Sequence, residues 1–464
     1  MGLLLREGML KPRFAVLVSA LAGALFVACG NAHTPLPTAT PSATPLPIPA
    51  QYQTLYNDLQ DAIDTEDGQI SSAWDGKLYG VDYATELLTA DGNGGFGILQ
   101  PAVKAMMLKE LQAEHDMGAT AVTVQIGFPI FDENLYTSLG QTQQQAGQTV
   151  QTWIDYYSSV AQAIHGLGMK MVVEANPLLT LATGSANSID VSGYYKSLDA
   201  ASYEQRRSAH NILVAQTIKP DYLLLQTEPT TDAVNSQNRA LAALMSDPNA
   251  DTEMIRGFVA DLDQGQVPGL HSSILVGSGV GSWQADWQSY ITNLAGIPGL
   301  DKLDTHVYNL QPGLDEIGIA EQVADVAHAA GKGASVSEYW FHKSTSLSGF
   351  TGADPLLDVR ARDSFSFWSP LDQRFLSMMV KLANYKQFDY VSAFGFFYWF
   401  TLIDYPSLTT PCPPVYPAQN ATENAACNAK IQTLRNQDAG RALSSGQLSS
   451  TGTAFRELLH NAGS

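Results

Sequence analysis

Between Lys77 and Phe396 the chain repeats one pattern eight times: a short run rich in Val, Leu and Ile, then a longer stretch whose apolar residues recur with helical period. A strand buried on both faces reads as a nearly continuous apolar run, and parallel strands need a long crossover, which a helix supplies. The runs Lys77–Tyr83, Ala119–Ile126, Met169–Glu174, Tyr222–Glu228, Ser273–Gly277, Leu303–Tyr308, Gly333–Glu338 and Tyr390–Phe396 predict strands. Pro101–Met117, Thr149–Leu167, Ala201–Thr217, Gln284–Ala295, Ile317–Ala330 and Pro370–Tyr385 predict helices, with Gly118, Gly168, Pro220 and Gly331 as stops. With a closing helix near Thr453–Asn461, eight units predict an α/β fold, a (β/α)8 TIM barrel over residues 51–464; an open doubly wound sheet is the alternative. Two long connections, Phe341–Trp368 after strand seven and Phe400–Ser449 after strand eight, fall where a barrel builds its binding face.

The N-terminal segment reads as an address. Arg6, Lys11 and Arg13 precede an apolar run, Phe14–Ala28, broken only by Ser19 and Gly23. A cationic start and an apolar core short for a membrane span predict an export signal over residues 1–28. The run ends Phe26-Val27-Ala28-Cys29-Gly30, which resembles a bacterial lipobox and implies cleavage before Cys29 and its diacylation. Ordinary cleavage near Ala28, with Cys29 a bystander, is the other reading. Residues 29–50, rich in Pro and Thr and free of charge, predict an extended tether. The expected location is extracytoplasmic, as a bacterial cell-envelope lipoprotein or a secreted protein, touching the membrane only through a lipid anchor. In that oxidising compartment Cys412 and Cys427, the remaining cysteines, are expected to form a disulfide.

Several chemistries find no support. The chain carries 25 Lys plus Arg against 45 Asp plus Glu, net −20, with no basic run after Arg13, so no nucleic-acid partner is expected. No GxGxxG follows the first strand, no P-loop appears, and GVGSW at 279–283 reads as a loop. The nine His form no HExxH, and there is no GxSxG elbow; no metal or organic cofactor is implied. His115, His165 and His210 lie in predicted helices and read as solvated or capping residues. Abundant Trp, Tyr and Phe offer flat apolar surface to neutral ligands such as sugars.

Barrels place their chemistry at the carboxyl ends of strands. Strand four stops at Glu228 and strand seven at Glu338. Alternation puts Glu228 on a face with Leu224 and Gln226, Glu338 with Ala334 and Val336, and Asp304, His306 and Tyr308 together on strand six. Two carboxyls across a cleft are the groups glycoside cleavage requires, one to protonate the leaving oxygen and one to attack or activate water. Glu174, Asp82 and Asp404 are rival carboxylates. Trp283, Trp340 and Trp399, just past strands five, seven and eight, are candidates for stacking on sugar rings; Trp74, Trp153, Trp287 and Trp368 read as packing residues.

These residues resemble the superfamily of retaining β-glycosidases built on (β/α)8 barrels. Glu228-Pro229 is similar to its Asn-Glu-Pro, His306 and Tyr308 to its His-x-Tyr on strand six, and Trp399 to an aromatic after strand eight. The resemblance implies Glu228 as acid/base, Glu338 as nucleophile, and His306 and Tyr308 as residues that position the nucleophile and contact a β-linked poly- or oligosaccharide. One position departs: Thr227 stands where the superfamily has an Asn that bonds the sugar 2-hydroxyl, and Asn176 beyond strand three is the candidate to supply that amide, or else a turn residue before Pro177. The competing class is a non-catalytic surface lipoprotein that captures glycans, either a decayed barrel or a two-lobed solute-binding protein.

Overall fold

The computed structural model describes residues 46–180, 188–308, 316–344, 355–408, 412 and 421–462; the segment expected to be an export signal, Cys29 and most of the expected tether lie outside them. Eight parallel strands close into a barrel in chain order, the first paired with the last. They are β1 Asp82–Glu86, β2 Ala121–Gln125, β3 Lys170–Glu174, β4 Tyr222–Leu224, β5 Leu275–Gly281, β6 Lys302–Tyr308, β7 Gly333–Trp340 and β8 Tyr390–Ala393. The closed sheet replaces both the open doubly wound alternative and the two open lobes of a solute-binding protein.

Alternation along each strand divides the interior in two. Val172, Tyr222, Leu224 and Tyr390 form a small cluster of their own inside the barrel, with the Tyr222 and Tyr390 rings 4.7 Å apart. Their neighbours Val173, Leu223 and Val391 join the main core between sheet and helices. The helices Pro101–Asp116, Gln143–Gly166, Ala200–Thr217, Trp287–Ala295, Glu316–Ala329, Ser369–Tyr385 and Ser450–Ala462 stand close to their expected limits. Thr142 and Gln145 cap the second of these reciprocally, which extends its start to Gln143. Gly118, Gly168 and Gly331 follow helices at positive φ, the left-handed stop that glycine adopts without strain.

Four differences have physical reasons. β1 begins at Asp82, not Lys77, because its register is set by Ala121 and Tyr390 on its two neighbours. GVGSW is not a loop: residues 279–281 end β5, and glycine is required there because a Cβ on Gly279 would lie 2.1 Å from the Asp304 carbonyl oxygen and one on Gly277 2.6 Å from Leu224 Cδ2. The connection after β8 holds a helix, Ala421–Ser445, tied to the preceding segment by a Cys412–Cys427 disulfide. Finally, helix Gln53–Ala73 packs outside the ring against Ser369–Tyr385, with Asp64 on Arg374 and Asp67 on Lys381.

Candidate active site

The geometry of the mouth depends on one extra residue in β7. Asp304 pairs with Ser335 and His306 with Glu338, so two steps on β6 span three on β7; on the other side Val391 and Ala393 pair with Val336 and Tyr339. This is a β-bulge. Val336 and Tyr339 both face the helices, and Ser337 and Glu338 between them both face the lumen. The expected face is therefore corrected: Glu338 does not share one with Ala334 and Val336, which lie in the outer core. The bulge is pinned by Asp304, whose carboxylate accepts from Ser335 Oγ at 2.6 Å, Ser337 N–H at 3.0 Å and Ser337 Oγ at 2.6 Å.

That pinning sets the charge of His306. Ser337 Oγ spends its hydrogen on Asp304, so His306 Nε2, 2.9 Å away, is the donor in their contact. His306 Nδ1 lies 2.8 Å from Glu228 Oε1 and 3.5 Å from Glu338 Oε2, and it donates to the first. With both nitrogens donating, the ring is an imidazolium. Burial opposes that charge, but Glu338 and Glu174 hold the pKa well above its ordinary value.

Glu338 is buried, and Tyr308 donates its hydroxyl to Oε2 at 2.5 Å. Oε1 has no hydrogen-bond partner among the described residues. Burial raises the Glu338 pKa most, Glu174 and Glu228 raise it further, and His306 and Tyr308 pull against them. Glu174, the rival from β3, belongs to the same cluster, with Oε1 3.5 Å from His306 Nε2. Asp304 below is pushed up to about 7 by burial, offset by His306 and the two serines.

Asn176 and Thr227 are locked together. The Thr227 N–H donates to Asn176 Oδ1 at 2.9 Å, and Asn176 Nδ2 donates to Thr227 Oγ1 at 2.7 Å and Glu174 Oε2 at 3.2 Å. Asn176 thus lines one small cavity with Gln125, Glu228, His306 and Glu338. Sequence reasoning missed Gln125, Asn93 and Ser337. Asn93 Nδ2 donates to Gln125 Oε1, and Asn93 Oδ1 accepts from the Leu179 N–H at 2.8 Å, which ties the mouth of β2 to the loop after β3.

The remaining candidates separate. Trp283 is partly exposed, its ring 5.8 Å from Tyr308, within reach of the mouth. Trp340 is buried and stacks on Tyr398 at 4.4 Å. Trp399 is corrected to a core residue: it is fully buried, stacks on Phe455 of the last helix at 4.4 Å, and offers no free face. Asp82 sits at the opposite end of the barrel with Lys170, and Asp404 is exposed beside Ser366. His210 is neither solvated nor capping; it is buried, reaches the Ile126 carbonyl at 2.9 Å, and burial lowers its pKa to about 4.

Among the described residues, one group, Glu174, His306 and Glu338, brings carboxylate and imidazole atoms within 4.8 Å of one another, as a metal would need. The imidazole fits poorly. Both its nitrogens carry hydrogens directed at Glu228 and Ser337, whereas a metal binds the bare lone pair of a neutral ring.

No family model and no curated relative matches this chain. Solved structures resemble it in fold. A GH5_18 protein from Bifidobacterium longum subsp. longum, in complex with Manb1-4GlcNAc, aligns over 83% of this chain and 78% of its own at 12% identity and a TM-score of 0.43. Rice Os3BGlu6 β-glucosidase, in a covalent complex with Glc, aligns over 70% and 90% at 10% identity and 0.42. GH26C from a Muricauda species aligns over 80% and 88% at 11% identity and 0.39. The likeness is one of architecture alone; the closed parallel barrel is read from this chain's own strand order.

Proposed function

We propose that this protein is a glycoside hydrolase that cleaves a β-linked poly- or oligosaccharide with retention, Glu228 serving as acid/base and Glu338 as nucleophile. The observation that carries the reading is the convergence of both carboxylates, Glu338 from within β7 and Glu228 from the helix N-cap four residues beyond β4, on His306 Nδ1 at 3.5 and 2.8 Å. Glu228 Oε1 and Glu338 Oε2 both lie within 3.5 Å of that one nitrogen, which supports the close spacing of a retaining pair. In the first step Glu338 Oε1 bonds to the anomeric carbon as the glycosidic C–O bond breaks, and protonated Glu228 passes its hydrogen to the leaving oxygen. In the second, Glu228 takes a proton from water, whose oxygen displaces Glu338. Tyr308 holds Oε2 and leaves Oε1 to react. Asn176, whose Nδ2 hydrogens go to Thr227 and Glu174, offers the remaining lone pair of its Oδ1 to the sugar 2-hydroxyl.

The test is reducing-sugar release from β-linked glucans, mannans, galactans and xylans, with Glu338→Gln beside the wild type. Release by wild type alone, with the β-configuration retained in the first-formed product, supports the assignment; undiminished release by Glu338→Gln removes Glu338 from the chemistry. Thr227 in place of an amide favours a second reading, a barrel that binds glycans without cleaving them. Binding with no release on any polymer selects it.

The same proposal takes residues 1–28 as an export signal and Cys29 as the acylated mature N-terminus. The order of cationic, apolar and Cys-containing segments supports it, as does a disulfide between Cys412 and Cys427. Radiolabelled fatty acid should enter the wild type and not Cys29→Ser.

A further inference from the structure

Beside the carboxylate cluster lies a second, narrower space that the proposed chemistry does not use. It is walled by Glu86, Trp340, His342, Arg360, Tyr398 and Arg435. Arg360 and Arg435 are 6% and 4% exposed. Arg360 Nη1, Arg435 Nε and Trp340 Nε1 are buried with no hydrogen-bond partner among the described residues. Guanidinium groups withdrawn from water are costly unless paired; Tyr398 and Asp363 act on Arg435, but Arg360 Nη1 and Arg435 Nε stay unmatched among the described residues. Asp363 accepts from His342 Nδ1 at 2.7 Å and from the Lys343 N–H at 2.9 Å, and Asp372 pairs with Lys343. Glu86 on β1 is pushed up by burial, then by Glu174 and Glu338. It is the one carboxylate among the residues that line the slot, beside several donors.

The free space is about 20 Å³, close to that of one or two water-sized groups and far short of a sugar ring. It lies one ring from the reacting groups. Tyr308, whose hydroxyl binds Glu338, stacks on His342 at 5.6 Å and meets Phe394, another wall residue, at 6.0 Å.

We infer that this slot receives the carboxylate of an acidic sugar, so that the glycan bound at Glu228 and Glu338 contains uronic acid residues. A planar carboxylate matches the fork of a guanidinium and accepts from the unmatched Arg360 Nη1 and Arg435 Nε. The slot has the same free volume as the neighbouring cavity at Glu228 and Glu338, and a carboxylate is a group of about that size. The inference rests on the glycosidase reading for its location and extends it to the substrate class.

The experiment separates the two. Binding is followed by tryptophan fluorescence in Glu338→Gln, which needs no turnover, using glucuronate and glucose oligosaccharides of equal length. Acidic ligands should bind at least about tenfold more tightly at low salt, and Arg360→Gln and Arg435→Gln should each erase most of that ratio. Arg360→Lys keeps the charge and should retain part of it, which guards against a variant that merely fails to fold. Equal affinity for the two ligand classes overturns the inference, even if wild type hydrolyses a neutral glycan and the glycosidase reading stands. Preference for glucuronate without hydrolysis keeps the slot and sinks the enzymatic reading. A preference for sulfated over carboxylated sugars overturns the carboxylate assignment.

Discussion

The two ends of the barrel handle charge in opposite ways. At the amino ends of the strands the carboxylates meet basic partners in ones and twos: Asp82 has Lys170 at 2.6 Å, Asp389 has Lys302 at 2.6 Å, and His271 stands between Asp301 at 2.8 Å and Asp263 at 3.0 Å. At the carboxyl ends three glutamates, Glu174, Glu228 and Glu338, share the single imidazolium of His306. The apolar layer of Val172, Tyr222, Leu224 and Tyr390 lies between. One end is arranged as a folded protein would have it for stability, and the other tolerates crowding that only a task at the mouth explains.

The largest expected effect breaks the mouth. Glu338→Gln should lower turnover by more than the roughly 10²–10⁴-fold lost with a proton donor, yet leave thermal stability equal or higher, because one of three crowded acids is gone. Initial rates and unfolding midpoints on one preparation decide this, and a marked drop in midpoint would place Glu338 among the stabilising residues. Glu228→Ala comes next, with about 10²–10⁴-fold lost on poor leaving groups and less on activated aryl glycosides. Equal losses on both substrates would deny it the role of acid.

At the other end Asp389→Asn should do the reverse, costing about 1–3 kcal/mol in urea unfolding by depriving the buried Lys302 of its partner, with kcat/KM per folded molecule unchanged. The smallest effect is a slope. Burial pushes Asp91, Asp232 and Asp304 up to about 7, while unfolded aspartates ionise near pH about 4. The folded state therefore holds protons that the unfolded state releases, and these groups make stability fall as pH rises from about 4 to 7. Asp91→Asn keeps the oxygen that accepts from the Asn93 N–H but cannot ionise, so its slope across that window should be shallower; a steeper one contradicts the account.

How much of this was legible in the sequence follows from period and from crowding. Eight apolar runs sufficed for the barrel because parallel strands covered by helices have little choice of composition. β1 and β5 were misplaced because Asp-Tyr-Ala-Thr-Glu and Val-Gly-Ser-Gly-Val-Gly lack apolar runs; the first is set by its neighbours and the second by the closeness of Leu224 and Asp304. Glu228 and Glu338 were readable as a pair from the apolar runs that precede them, although Glu228 stands beyond β4 and Glu338 inside β7. Trp399 was misread since nothing local distinguishes a ring in the mouth from one packed on Phe455. Ser337 went unseen because its value lies in a bulge, and the Arg360–Arg435 slot joins side chains from two helices far apart in the chain.

The bulge has a further consequence. In a regular strand neighbouring side chains part company, so one strand end offers its chamber every second residue. Here two in succession, Ser337 and Glu338, enter the same chamber, one to meet His306 and the other Tyr308. Deleting Ser337 would restore ordinary alternation with Glu338 still turned inward, but would strip His306 and Asp304 of their shared contact. The most informative lesion at this site is thus a shortening of one residue that spares the reactive group and disarms its neighbour.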